Sequence, residues 1–129
     1  MDCTEVALIQ KNKPGWQCGK LNGIGGKIER YESPKGAMKR EFAEEATAKI
    51  GWWRKFCVLE ARDGTIHFFM ALGKMDEVIQ AEKEAIWICK VNELPVLNLV
   101  NNLHWLIPMA LDKNELIAEV RESLPFGGW

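Results

Sequence analysis

Residues 25–51 read GGKIERYESPKGAMKREFAEEATAKIG, and they gather acid where an ordinary surface helix would spread it. Ser33 followed by Pro34 is a helix start. A serine hydroxyl can accept a hydrogen bond from the first turn, and the N–H that proline lacks has no partner there anyway. From Pro34 the run PKGAMKREFAEEATAKI is helical in character, with Ala37, Met38, Phe42 and Ala46 at spacings that share an apolar face. Glu41, Glu44 and Glu45 stand at i, i+3 and i+4, so their carboxylates fall on one patch and repel one another. One reading is a solvated acidic face flanked by Lys39, Arg40 and Lys49, with water and salt absorbing the repulsion. The other is a divalent-cation site. Mg²⁺ prefers oxygen ligands and sits between carboxylates and substrate phosphates.

The rest of the chain bounds the choice. Its 129 residues fit one domain, 1–129, with room for a core. Hydrophobic residues make up 47% and charged residues 27%, the balance of a globular protein. A net charge of −1 leaves no basic stripe of the kind a duplex-binding module carries, so no nucleic-acid duplex is expected as a partner. No apolar run approaches the roughly 18 to 20 residues that span a bilayer, and no membrane association is expected. The N-terminal MDCTEVALIQKNK lacks a basic region followed by a long apolar core, which predicts a cytoplasmic protein without a signal peptide. Cys3, Cys18, Cys57 and Cys89 are widely spaced and form no CxxC pair, so four reduced thiols are expected. His67 and His104 are isolated and read as packed or surface residues, which leaves zinc without a ligand set.

Outward from the acidic stretch, VALIQK (6–11) reads as a strand, and the glycine-rich NKPGWQCGKLNGIGG (12–26) as loop with room for one short strand. Two apolar runs, WWRKFCVLEA and IHFFMALGK, flank Asp63-Gly64 and predict a hairpin. EAIWICKV (84–91) is another strand. LNLVNNLHWLIPMALDK (97–113) reads as a helix with Leu99, Leu103, Leu106 and Ile107 on one face and Pro108 as a kink or break, and NELIAEVRESL (114–124) as a second helix or helical tail. Strands mixed with two or three helices predict an α+β or mixed-sheet α/β domain.

The wider pattern around the acids is more specific. Gly26, five residues, Glu32, seven residues, then Arg40-Glu41-Phe42-Ala43-Glu44-Glu45 resembles the signature of the Nudix hydrolases, G-x5-E-x7-R-E-U-x-E-E-x-G-U with U apolar. Gly26, Glu32, Arg40, Glu41, Glu44 and Glu45 match position by position, and Phe42 and Ala48 serve as the apolar positions. Thr47 replaces the final glycine, so the helix is expected to run on toward Gly51, a candidate left-handed cap. The resemblance implies a mixed sheet sandwiched between helices, and the Mg²⁺-dependent hydrolysis of a nucleoside diphosphate linked to another group, with Mn²⁺ able to substitute. It implies that Glu41, Glu44 and Glu45 bind or orient the metal, that the Gly25 carbonyl is a backbone ligand, and that Arg40 and Glu32 pair to hold the helix and its loop. Lys27 is a weaker candidate for phosphate contact, since a solvated lysine reads the same way. In such a reaction a carboxylate takes the proton of the attacking water. The candidates are Glu41 and an acid of AEKEAIW, Glu84 or Glu82, with Glu84 preferred because it directly precedes a strand. Both are otherwise ordinary loop acids.

KLNGIGGK resembles the lead-in of the MutT-like branch of the family, whose asparagine contacts a purine, and Asn22 occupies that place. NNLHWLIP resembles, more weakly, a segment in which paired acids contact the base; Asn101 and Asn102 replace them here, and the bland alternative is that they cap or interrupt the late helix. These likenesses imply a nucleoside triphosphate, ordinary or oxidised, split into monophosphate and pyrophosphate. ADP-ribose, a dinucleoside polyphosphate or a capped RNA end are alternatives, as is a non-catalytic nucleotide-binding module. Of the six tryptophans, Trp16 and Trp105 are the better base-stacking candidates, although tryptophans more often pack in the core or at its edge. Monomer and homodimer both remain open.

Overall fold

The structure, a computed structural model, describes residues 5–10, 19–24, 27–46, 50, 52–61, 64–73 and 86–122. In chain order the elements are β1 (Glu5–Gln10), β2 (Leu21–Asn22), α1 (Pro34–Ala46), β3 (Arg54–Ala61), β4 (Gly64–Met70), β5 (Ile86–Lys90), a 3₁₀ helix (Val91–Val96), α2 (Leu103–Ala110) and β6 (Ala118–Arg121). The strands form two three-stranded sheets, ordered β2-β1-β5 and β4-β3-β6. In the first, β1 pairs antiparallel with both neighbours. The second is mixed, because β3 and β4 form the expected antiparallel hairpin while β6 runs parallel to β3.

The period-2 alternation of β4 sorts its side chains between two layers. Phe68 and Met70 pack into the main core with Leu8, Phe56, Cys57 and Cys89 and with Leu103, Leu106 and Ile107 of α2. Phe69 and Ala71 point the other way, into a second cluster with Phe42 and Met38 of α1, and Trp53 meets Phe42 edge-on with ring centroids 5.2 Å apart. The β3–β4 sheet thus lies between two helices, as the sandwich expectation requires. A bulge between Lys55 and Cys57 shifts the register of β3 along this hairpin.

The start of α1 follows from its sequence. The Gly36 N–H donates to Ser33 Oγ at 3.0 Å, and the Ala37 N–H donates to the Ser33 carbonyl at 2.9 Å. The described helix ends at Ala46. The expected run toward Gly51 falls on residues 47–49 and 51, outside the described residues, as does Asp63 of the hairpin turn.

Two expectations are corrected. The helix read across 97–113 covers only Leu103–Ala110. The stretch before it is extended: the Leu21 N–H donates to the Asn98 carbonyl at 2.8 Å and the Val100 N–H to the Leu21 carbonyl at 2.8 Å, a parallel bridge in which Leu99 is buried as a strand residue. Pro108 sits inside the remaining helix, exposed, two residues before its end. The second helix read over 114–124 is instead β6. Val120 packs on the core while Glu119 and Arg121 face solvent, an alternation that a parallel partner 61 residues earlier in the chain, Leu59 opposite Val120, selects over the helical period. Cys57 and Cys89 are buried free thiols whose pKa values burial raises; Cys3 and Cys18 lie outside the described residues.

Candidate active site

The loop before α1 closes on itself first. The Glu32 N–H donates to the Glu29 carbonyl at 3.0 Å, a tight turn with Tyr31 in the left-handed region at φ 71°. The Glu29 N–H returns a bond of 2.8 Å to Glu32 Oε1. These bonds fix the Glu32 carboxylate where Arg40, on the second turn of α1, can reach it.

Arg40 then gathers the site. Its Nε donates to Glu32 Oε2 at 2.7 Å and its Nη2 to Glu32 Oε1 at 2.9 Å, a two-pronged pair. Nη2 also donates to the Lys27 carbonyl at 3.0 Å, which ties the loop to the helix. Nη1 reaches Glu41 Oε1 at 2.9 Å and Glu44 Oε2 at 3.4 Å. The Arg40 guanidinium holds the Glu32 carboxyl below the usual carboxylate range, and the Glu32 carboxylate raises the Arg40 pKa in turn. The expected Glu32–Arg40 pairing is present, and Arg40 in addition bonds two of the three expected metal acids.

The acidic face of α1 is only partly turned to water. The Glu41 side chain is only 15% exposed, whereas that of Glu44 is 51% exposed. Glu45 is half-buried, and its Oε2 is shut off from solvent. This disfavours the solvated-face reading, because burying carboxylates side by side is unfavourable without a counter-charge. Arg40 brings one positive charge to Glu32, Glu41 and Glu44, with Glu45 one helical turn from Glu41. Carboxylate oxygens with excess negative charge are the donor chemistry a divalent cation such as Mg²⁺ takes, although among the described residues no three acids converge closely enough to hold one by themselves. Gly25, Glu82 and Glu84 lie outside the described residues, and Lys27 is exposed.

The asparagines lie on two other segments, β2 and the approach to α2. The parallel bridge between Leu21 and Leu99 sends Asn22 and the Asn101-Asn102 pair in the same direction, to one end of the β2 ladder. Asn22 Oδ1 accepts the Gly23 N–H at 2.8 Å. Asn101 is exposed. Asn102 is 3% exposed, and its Oδ1 is buried without a hydrogen-bond partner among the described residues. It precedes α2 in helical conformation and makes no side-chain capping bond, so its amide does not cap the helix. Trp105 packs against the main core, a structural place, and Trp16 lies outside the described residues.

His67, expected from the sequence to be a packed or surface residue, is half-buried. It lies on β4 opposite Val58, with a buried Nδ1 that has no partner among the described residues. Burial, and then the nearby Lys55 charge, lower its pKa. His104, the other histidine, is exposed.

No family model and no curated protein matches the sequence. Solved structures do. MutT from Bacillus halodurans superposes with a TM-score of 0.72 at 22% identity, covering 95% of this chain and 85% of that one. A MutT structure from a study of Aliivibrio salmonicida and Vibrio cholerae gives 0.71 at 18% identity, covering 84% and 86%. A Nudix hydrolase from Nitrosomonas europaea gives 0.62 at 17% identity, covering 95% and 74%. The chain therefore has the fold of the MutT and Nudix hydrolases.

Proposed function

We propose that this protein is a Nudix-type nucleotide pyrophosphohydrolase, acting in the cytoplasm on a free nucleoside triphosphate, ordinary or oxidised, to give the monophosphate and pyrophosphate. The observation that carries this reading is the half-buried acidic face of α1, drawn together by Arg40 on a fold shared with hydrolases of that kind.

Glu41, Glu44, Glu45 and the Gly25 carbonyl would hold the cation, Mg²⁺ or Mn²⁺. When bound, it neutralises polyphosphate charge and makes a water more acidic. Arg40 fixes Glu41 from one side and, through Glu32 and the Lys27 carbonyl, fixes the loop from the other. The Lys27 ammonium is exposed and offers a contact to phosphate. Glu84 accepts the proton of the attacking water, with Glu41 as the alternative base; the water oxygen bonds to phosphorus and the phosphoanhydride bond breaks. Asn22, Asn101 and Asn102 meet the base. The buried Asn102 amide, with no cap to form, supports that role.

A panel of nucleotides with Mg²⁺, scored for pyrophosphate against phosphate release, tests the reading. Pyrophosphate and a monophosphate are expected, with activity lost in excess chelator and restored by Mg²⁺. Cleavage of ADP-ribose to AMP and ribose phosphate would transfer the site to another substrate class. Nucleotide binding without turnover would make the chain a binding module. Activity is expected to peak above about pH 7.5, since the acids must be ionised and the later titration belongs to the water or its base.

A further inference from the structure

We propose that the outer edge of β6 binds a second copy of this chain, the two β6 strands pairing antiparallel about a two-fold axis at Val120. β6 is the last strand of its sheet, and no described residue pairs with its other side. The direction of its backbone groups is fixed. The Glu122 N–H donates to the Glu60 carbonyl of β3 at 2.7 Å. Because backbone groups alternate along a strand, Ala118 and Val120 also address β3, and Glu119 and Arg121 turn their N–H and C=O groups outward. Unpaired outward groups on a regular strand are a template for another strand.

The side chains select the partner and the register. Glu119 and Arg121 are both exposed and share the face opposite Val120, which packs on the core. With Val120 opposite Val120 of the second copy, each Glu119 stands opposite the other copy's Arg121, and two oppositely charged cross-strand pairs form by symmetry. The neighbouring registers of the same parity set Glu119 against Glu119 or Arg121 against Arg121, so this strand is self-complementary in one register. Arg121, whose side chain is 89% exposed and which touches Glu60 at 3.4 Å, would then lie between two carboxylates. Ile117, 72% exposed on the same face, adjoins the seam.

An edge this short implies a reversible dimer with Kd on the order of 1–100 µM. Sedimentation velocity of the full chain, run from below to above that range, reads it directly. Glu119→Arg alone and Arg121→Glu alone each place like charges opposite one another twice, and each is expected to weaken the dimer roughly tenfold or more. An equimolar mixture of the two variants restores both pairs, and native mass spectrometry should show the heterodimer. Both positions are exposed, and circular dichroism against the parent checks that the variants fold; should Arg121→Glu fail to fold, Glu119→Arg against the parent decides. A parent chain that stays monomeric throughout, a charge variant that dimerises as tightly as the parent, or folded variants whose mixture stays monomeric would each overturn the proposal. None of these outcomes depends on the enzymatic reading.

Discussion

The two helices on either side of the β3–β4 sheet do opposite work. α2 is almost wholly apolar, and Leu103, Leu106 and Ile107 fill the main core with the strands. α1 contributes Phe42 and Met38 to a smaller cluster and places half-buried carboxylates beside them. A helix built only for stability has no need to hold Glu41 and Glu45 half-buried. The contrast teaches that α2 is shaped by what it packs against, while α1 carries acids that its packing does not require and that the proposed function uses, and substitutions in the two should therefore fail differently.

The largest expected stability effect lies in α2. Leu106 is 1% exposed, and Leu106→Ala should cost about 2–5 kcal/mol through lost transfer energy and a residual cavity. Denaturant unfolding measures that cost. Turnover per folded molecule should stay near the parent value, and a stability-neutral Leu106→Ala would break the division between the helices.

Asn102 stands where the two kinds of work meet, at the approach to α2. A lost amide contact to a base costs about 1–3 kcal/mol, so Asn102→Ala should lower kcat/KM by roughly 5- to 150-fold for the preferred nucleotide and by less for poor substrates. Any loss of stability should come from the small cavity left at this buried position and not from helix capping, since the side chain makes no capping bond. An equal loss across the nucleotide panel would remove Asn102 from the base pocket.

The lead-in to α1 carries strain of its own. Tyr31 is 93% exposed at φ 71°, so no buried contact offsets its left-handed backbone. Tyr31→Gly should raise stability by about 0.5–1 kcal/mol, the relief of strain less the entropy of a freer unfolded chain. A destabilised variant would mean that the exposed ring supports the loop.

The smallest effect concerns the sheet between the helices. The folded protein depresses the His67 pKa through burial and Lys55, so it favours the neutral ring. That contribution is fully present above the ordinary histidine pKa and is lost as pH falls below it, because the unfolded chain then binds a proton that the folded one resists. In His67→Leu the decline between about pH 6.5 and 5 should be shallower than in the parent. Identical pH curves would show that His67 titrates normally in the fold.

How far the sequence disclosed these roles differs with the range of the interactions. α1 was legible because its signals are local: Ser33 and Pro34 mark its start, and the acids recur at helical spacing. The hairpin was legible for the same reason, with two apolar runs on either side of a turn dipeptide. The stretch 97–102 was not, because an apolar run serves a buried strand as well as a helix, and the choice was made by Leu21, far off in the chain. β6 is shorter than two helical turns, and its alternation gains meaning only once β3 lies beside it. At the candidate site, the Glu32–Arg40 pairing was readable, but the partial burial of Glu41 and Glu45 and the reach of Arg40 to three carboxylates appear only in three dimensions.

The most direct test of the proposed metal site is turnover of Glu45→Gln at saturating Mg²⁺, on protein shown by its unfolding curve to be as stable as the parent. The substitution keeps the shape of the side chain and removes one negative charge from the donor set. A fall of about 10² or more in rate is expected, the scale seen when one preorganised electrostatic group is lost from an active site. Turnover near that of the parent would contradict the assignment of the acidic face of α1 as the catalytic metal site.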